Sequence, residues 1–377
     1  MFKESNKDII LALAAFFQFV VLMLQQLLLG LELVSYESFR YISISLSAIP
    51  MIPAFIVIIQ RRMVFLLLTY LLALFIIIIT LAFSPSNEQY ISSEVFYLLA
   101  INIPAFLCLA SIKDLSVITI VIHYLSLIIV LIGVIYFVFM WSGEIHYDHY
   151  NMPFGYYLLL PALFFLLKRN TISNILFAIT VSMMMIIGSR GPLLTVIVFS
   201  ILLFVLELKK WNGLIWSFGI IIILFVVFWP SILELTYDLG INSRSIGLLQ
   251  EGGFLQSGDR IKLYTEVWQN ILDHPWLGLG IYGDRTILDG LYSHNLILEM
   301  LNNFGILLGT CFILLMAVKF VKFITLTESP DRQLILMLFC FGIVPLMFSR
   351  SYLNDPGFGI FIGSLFSISK KLQSNLH

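Results

Sequence analysis

Residues 61–83 read RRMVFLLLTYLLALFIIIITLAF, a basic doublet followed by an uncharged apolar run. A helix crossing the hydrocarbon of a bilayer needs roughly 20 consecutive apolar residues, and this run supplies them. The doublet at its start is what short cytoplasmic connections carry. The same pattern recurs along the chain. Of its 377 residues, 60% are hydrophobic and 11% charged, and the mean hydropathy is +1.00. An ordinary soluble domain has about 25% charged residues. The chain therefore reads as an all-α polytopic membrane protein, and no nucleic-acid partner is expected.

Apolar windows place about twelve transmembrane helices, at 9–31, 41–60, 63–83, 92–111, 115–141, 154–167, 172–188, 192–208, 213–230, 295–317, 333–348 and 357–369. With the N-terminus inside, the inner segments carry Lys3, Lys7, Arg61, Arg62, Lys113, Lys168, Arg169, Lys209, Lys210, Lys319, Lys322, Arg332, Lys370 and Lys371. Those are 14 of the 21 basic residues, so every inner connection holds at least one, as the charge rule requires. Both termini are expected in the cytoplasm. Lys3 and Lys7 precede the first apolar run with no small-residue cleavage site, which reads as an uncleaved first span.

Cys108, Cys311 and Cys340 all lie in apolar runs and read as packed thiols. No disulfide framework or CxxC metal site is present in the sequence. Within the spans the polar intrusions are Gln18, Gln25, Gln26, Glu94 and a lone His123, which reads as a packing residue. Intramembrane acids and histidines mark ion and proton pathways, and their scarcity argues against an ion-coupled transporter. No internal repeat is visible.

The expected organisation is transmembrane helices 1–9 over 1–230, a large extracytoplasmic loop with short helices over 231–294, and the last three helices over 295–377. The loop is the only long polar interval and carries Arg244, Arg260, Lys262, Asp284, Arg285, Asp289 and His294. The seven outer basic residues are these three arginines and one lysine together with Arg40, Arg190 and Arg350. Arginine dominates where a planar donor must grip phosphate or carboxylate bidentately; scattered interface anchoring is the alternative.

Three constellations concentrate the chemistry. In Gly188-Ser189-Arg190-Gly191-Pro192, Gly191 permits a tight turn and Pro192 suits the first turn of the next helix, so Arg190 would sit beside a helix N-terminus, a natural anion site. In Ser257-Gly258-Asp259-Arg260, Asp259 can cap a helix. Ile261, Tyr264, Trp268 and Ile271-Leu272 then form one apolar face of a helix too short to span, lying in the outer interface. It ends at His274-Pro275, before the glycine-rich turn Trp276 to Gly280. The third is Tyr292-Ser293-His294-Asn295, where the chain re-enters the membrane and His294 can act as a general base or as a hydrogen-bond donor. The His146, Asp148 and His149 loop reads as solvated polar residues, not a metal site.

Together, Ser189-Arg190-Gly191, Gly258-Asp259-Arg260 with the Trp268 helix, His274-Pro275-x-Leu277-Gly278-x-Gly280 and His294-Asn295-x-x-Leu298-Glu299 with Gly305 resemble the O-antigen polymerase and O-antigen ligase superfamily of GT-C-like membrane glycosyltransferases. The motifs span about 188–310. The resemblance implies a metal-independent enzyme with no cofactor, in the bacterial cytoplasmic membrane with its active site facing outward. Its donor would be an undecaprenyl-diphosphate-linked glycan and its acceptor a second glycan, in contact with membrane lipid, with a chain-length regulator as a further partner. Carried onto this chain, Arg190 and Arg260 resemble the family's diphosphate-engaging arginines, and His294 resembles the histidine near the transfer centre. Arg285, Tyr292, Asn295, Arg244 and Arg350 are candidate substrate contacts at the rim, as are Asp284, Asp289 and Asp355.

The chemistry agrees with that assignment. Transfer breaks an anomeric C–O bond to a diphosphate, and preorganised arginines can neutralise the leaving oxygen while a base takes the acceptor proton. His294 either serves as that base or orients substrate. A polymerase extending lipid-linked repeat units is the leading reading. The alternative is a ligase moving finished glycan onto a lipid A core. A glycan-lipid flippase predicts two similar halves and short outer loops, and a shape-and-division glycosyltransferase an outer catalytic carboxylate.

Overall fold

The structure, a computed structural model, describes residues 4–145, 151–206, 258–327 and 329–374. The elements are helices α1 (Glu4–Gly30), α2 (Tyr36–Phe83), α3 (Glu88–Tyr97), a π turn (Leu98–Asn102), α4 (Ile103–Ser111), α5 (Ser116–Trp141), α6 (Met152–Lys168), α7 (Thr171–Ile186), α8 (Arg190–Leu206), α9 (Gly258–Asp273), α10 (Gly283–Ile287), α11 (Leu296–Leu326), α12 (Ser329–Gly342) and α13 (Pro356–Ser374). Among the described residues there is no strand. Also among the described residues, six helical stretches are long and apolar enough to cross a membrane, and α6, α7 and α8 are shorter apolar helices. Each expected span that the described residues cover falls on helix; the span at 213–230, Arg244 and the 146–150 loop lie outside them.

The chain forms two compact units that interleave along the sequence, residues 1–18, 45–121 and 257–377 in one, and 19–44 and 122–256 in the other. In the first unit, α2 is interrupted at Arg62 (φ −154°, ψ 42°), the boundary between two expected spans. α13 packs closely on α4 because two glycines one helical turn apart face it. A Cβ at Gly359 would stand 2.4 Å from the Asn102 carbonyl oxygen and one at Gly363 2.4 Å from that of Phe106. This small-residue approach is the membrane alternative to hydrophobic association, since lipid tails are as apolar as leucine. The π turn between α3 and α4 frees Asn102, whose side chain donates to the Tyr352 carbonyl at 2.6 Å and the Leu353 carbonyl at 3.2 Å.

α11 departs from the expectation of one continuous span. At Gly305 the backbone takes φ 73° and ψ 172°, dividing the helix into two arms. A break frees carbonyls and an N–H that lipid cannot satisfy, and the glycine-rich turn satisfies them. Leu279 N–H donates to the Asn302 carbonyl at 2.8 Å and Gly280 N–H to the Asn303 carbonyl at 3.0 Å, while Ile306 N–H donates to the Pro275 carbonyl at 2.7 Å. The fit leaves no room for side chains: a Cβ on Gly305 would lie 2.4 Å from the Trp276 oxygen, and one on Gly278 2.4 Å from the Asn302 oxygen.

In the second unit, Asn151 caps α6 by accepting from Phe154 N–H at 3.1 Å and donates to Gln26 Oε1 at 2.7 Å. Gln26, a polar intrusion in the sequence, thus has its partner. His123 packs against Phe164 with ring centroids 5.7 Å apart, the expected packing role.

Candidate active site

The site in the first unit is built on α9, the turn that follows it, α10 and the first arm of α11. α9 begins at Gly258, so Asp259 lies inside the first turn and not at its cap. The face it buries also differs. Val267 and Ile271 pack with Leu288 and Leu301, and Leu263 joins them, whereas Ile261, Trp268 and Leu272 stay exposed. The helix has two apolar stripes, and α10 and α11 offer leucines to only one. Burying Val267 and Ile271 is worth about 1.5–3 kcal/mol each.

Asn87 and Thr80 pin the next segment. Asn87 donates to the Leu279 carbonyl at 2.8 Å and accepts from Thr286 Oγ1 at 2.8 Å, and Thr80 Oγ1 accepts from Ile281 N–H at 3.2 Å. This places α10, and with it Arg285, in the interior. Arg285 is fully buried, which removes it from the expected rim. Its guanidinium meets Asp284 Oδ1 at 2.6 Å, Glu299 Oε1 at 2.9 Å and Glu94 Oε2 at 3.4 Å, and donates to Ser351 Oγ at 2.8 Å. The rings of Tyr282 and Tyr292 lie 5.0 and 5.4 Å from it. Burial opposes the Arg285 charge, but the Asp284, Glu299 and Glu94 carboxylates outweigh it and raise its pKa above the usual range. A guanidinium so occupied acts as a structural centre joining α3, α10, α11 and the 349–355 loop.

That centre fixes the loop carrying His294. Asp284 Oδ2 accepts from Ser293 N–H at 2.9 Å. Asn295 is the N-cap of α11, accepting from Ile297 and Leu298 N–H at 3.0 and 3.2 Å. Held between them, His294 takes a left-handed backbone (φ 51°), as do Tyr282 (φ 61°) and Asp289 (φ 51°) nearby in sequence. Such conformations in non-glycine residues cost of order 1–3 kcal/mol and persist where the surroundings enforce them.

The His294 ring packs at a tilt against Tyr292, centroids 4.1 Å apart, and Tyr292 OH donates to the Ser349 carbonyl at 2.8 Å. His294 also hydrogen-bonds the Ser349 carbonyl, while its buried Nδ1 has no partner. Nε2 is therefore the donor, which leaves the lone pair on Nδ1. The imidazole pKa is lowered, first by burial and then by the charge of Arg260; the Ser349 bond and Asp284 act in the opposite direction. Arg260 is exposed on the first turn of α9 and lies within electrostatic reach of His294.

The remaining expected residues fall elsewhere. Arg350 is ion-paired to Asp355, whose Oδ1 accepts from Gly357 N–H at 2.6 Å. Asp289 is exposed. Arg190 opens α8 in the second unit and is half-buried. The turn before it uses Gly188 (φ 75°), not Gly191, which lies inside the helix. Ser189 Oγ donates to the Asn151 carbonyl at 3.3 Å, fixing the start of α8. Glu94, Glu299 and Ser351 were not expected as site residues. Glu94 stood out as a polar intrusion and Glu299 stood in the His294 motif, but neither signal names Arg285 as the partner.

Among the described residues no group of three or more His, Cys, Asp or Glu side chains is arranged to hold a metal ion. Residues 175–313 match the family described as O-antigen ligase. No curated protein and no solved structure matches the chain.

Proposed function

We propose that this chain, whose residues 175–313 match the O-antigen ligase family, is a polymerase form of that kind of membrane enzyme. It would extend undecaprenyl-diphosphate-linked repeat units into surface polysaccharide on the outer face of the cytoplasmic membrane. The observation that supports the reading most directly lies within the matched segment: a cationic Arg260 within electrostatic reach of a histidine whose Nδ1 is unpartnered and whose pKa is held down. Diphosphate departure needs positive charge that is already in place, and acceptor activation needs a neutral base.

In the proposed step, an acceptor hydroxyl oxygen bonds to the anomeric carbon as the C–O bond to the diphosphate breaks. The leaving diphosphate takes the electron pair and is met by Arg260; Arg190 is the second arginine that the resemblance assigns to the diphosphate. His294 Nδ1 takes the hydroxyl proton. Tyr292 and Asn295 hold the histidine loop, and Arg285 with Asp284 and Glu299 positions it from beneath. Arg260→Ala and Arg190→Ala are each expected to slow transfer about 10²–10³-fold with protein levels unchanged. Lysine at either position should recover little, because a point charge replaces a two-pronged donor. Near-normal chain formation by both alanine variants, or a requirement for a divalent metal after EDTA treatment, would defeat this mechanism.

The outward orientation rests on the 14-to-7 division of basic residues. Lys262 is exposed on α9, so a cysteine there, in a Cys311→Ser background, should react with an impermeant maleimide in intact spheroplasts. Labelling only after membrane disruption would place α9 inside. A ligase using the same chemistry differs only in acceptor, and mass analysis of lipid-linked glycans in cells lacking the protein separates the two. Single repeats on lipid accumulate if a polymerase is missing, and long unattached chains accumulate if a ligase is missing.

A further inference from the structure

A second group of cations, far along the chain from the His294 motif, lacks acid partners among the described residues. At the α2 break, Arg61 is held by acids: it donates to Glu4 Oε2 at 2.7 Å, to Asp8 and to the Ser111 carbonyl at 2.9 Å. Arg62 beside it is half-buried, and its guanidinium carbon lies 5.8 Å from the Phe65 ring. Phe65 packs 5.7 Å from Phe106 and 5.8 Å from Phe366, and those two meet edge to face at 5.4 Å. Lys319 Nζ, from the second arm of α11, sits 4.8 Å from the Phe366 ring. Lys370, one turn beyond Phe366 on α13, lies within electrostatic reach of Arg62. The acids at this end serve other residues: Glu4 and Asp8 hold Arg61, and Asp331 holds Lys371 at 2.6 Å.

Three cations gathered around one aromatic cluster repel each other unless an anion joins them. The neighbouring surface says what kind of anion. On α11, Leu307, Leu314, Leu315 and Val318 are exposed and lie on one face, along an apolar cavity of about 470 Å³. From Ile306 to Val318 the helix rises about 18 Å, close to the hydrocarbon depth of one leaflet, roughly 15 Å. Lys319 follows immediately. A free phosphate would use the cations and leave that face idle, whereas a phospholipid uses both.

We propose that this corner binds one anionic phospholipid, its phosphate among Arg62, Lys319 and Lys370 and an acyl chain along the Leu307–Val318 face of α11. The full chain, purified in detergent and mixed with equimolar phosphatidylglycerol and phosphatidylcholine, can be read for retained lipid by native mass spectrometry. Each juxtamembrane basic residue contributes about a five-fold preference for an anionic lipid. Wild type should therefore retain phosphatidylglycerol selectively, and the combined Arg62→Gln, Lys319→Gln and Lys370→Gln variant should approach parity. Arg62→Lys should keep the preference, and Lys262→Gln on α9 should not change it. If the combined variant aggregates, the Lys319→Gln and Lys370→Gln single variants read the same loss stepwise. Full selectivity in every variant, or displacement of the lipid by millimolar inorganic phosphate, would overturn the proposal.

Discussion

Replacing Arg285 with alanine is expected to destabilise the protein by about 3–5 kcal/mol, the cost of removing one partner from a buried ion pair. The cost arises from what remains. Asp284, Glu299 and Glu94 all direct oxygens at the guanidinium, and water cannot replace it at a position with no exposed surface. The three carboxylates would then repel each other at short range in a medium that screens poorly. Arg285→Lys should recover only part of the loss, because one ammonium cannot reach Asp284, Glu299 and Ser351 in the same geometry. Pairing Arg285→Ala with Glu299→Gln should recover part of it by removing a charge. Thermal inactivation in detergent, with ligand-independent fluorescence as a second probe, measures the order. An alanine variant within about 1 kcal/mol of wild type would show that Arg285 is dispensable to the fold.

His294→Ala should slow glycan transfer by about 10²–10⁴-fold, the usual contribution of a positioned acid or base. The pH profile distinguishes a base from an orienting residue. Burial and Arg260 hold the imidazole pKa below its usual 6.5. A base acts when unprotonated, so the wild-type rate should hold through neutrality and fall only as pH drops below the ordinary histidine range. In Arg260→Ala, with a nearby cation removed, that falling limb should move to higher pH. The stability linkage has the same sign: the unfolded state takes up the proton first, so stability is present above about pH 6.5 and is lost as pH falls through the folded value. A pH profile that survives His294→Ala unchanged would remove His294 as the base and leave it an orienting role.

Much of this arrangement could be read along the chain because its physics is local. A run such as 63–83 declares a membrane helix by composition alone, and Asn295 before Leu296 is a helix start by the chemistry of its side chain. The helix in the polar loop was legible from periodicity, but its buried face was not, since α9 carries two apolar stripes and the choice between them lies with Leu288 and Leu301 on other elements. Arg285 shows the same limit. An arginine in a polar loop reads as exposed, and only the approach of Glu94, Glu299 and Ser351 from distant parts of the chain makes it interior. The break in α11 escaped for a further reason: Gly305 within an apolar run is tolerated in many membrane helices, and the turn that occupies the break lies some 25 to 30 residues earlier.

That break also sets the limits of what can be exchanged between related chains. The turn at 275–280 and the opening at 302–306 fit as plug and socket, with Gly278 on one side and Gly305 on the other each too close to opposing backbone for any side chain. A hybrid joined between them would ask one parent's turn to enter another parent's opening. The smallest portable cassette therefore runs without a seam from His274 through Ile306. It takes Asp284, Arg285, His294 and Glu299 with it, so a recipient chain must itself supply the acid at 94 and the hydroxyl at 351 that Arg285 meets.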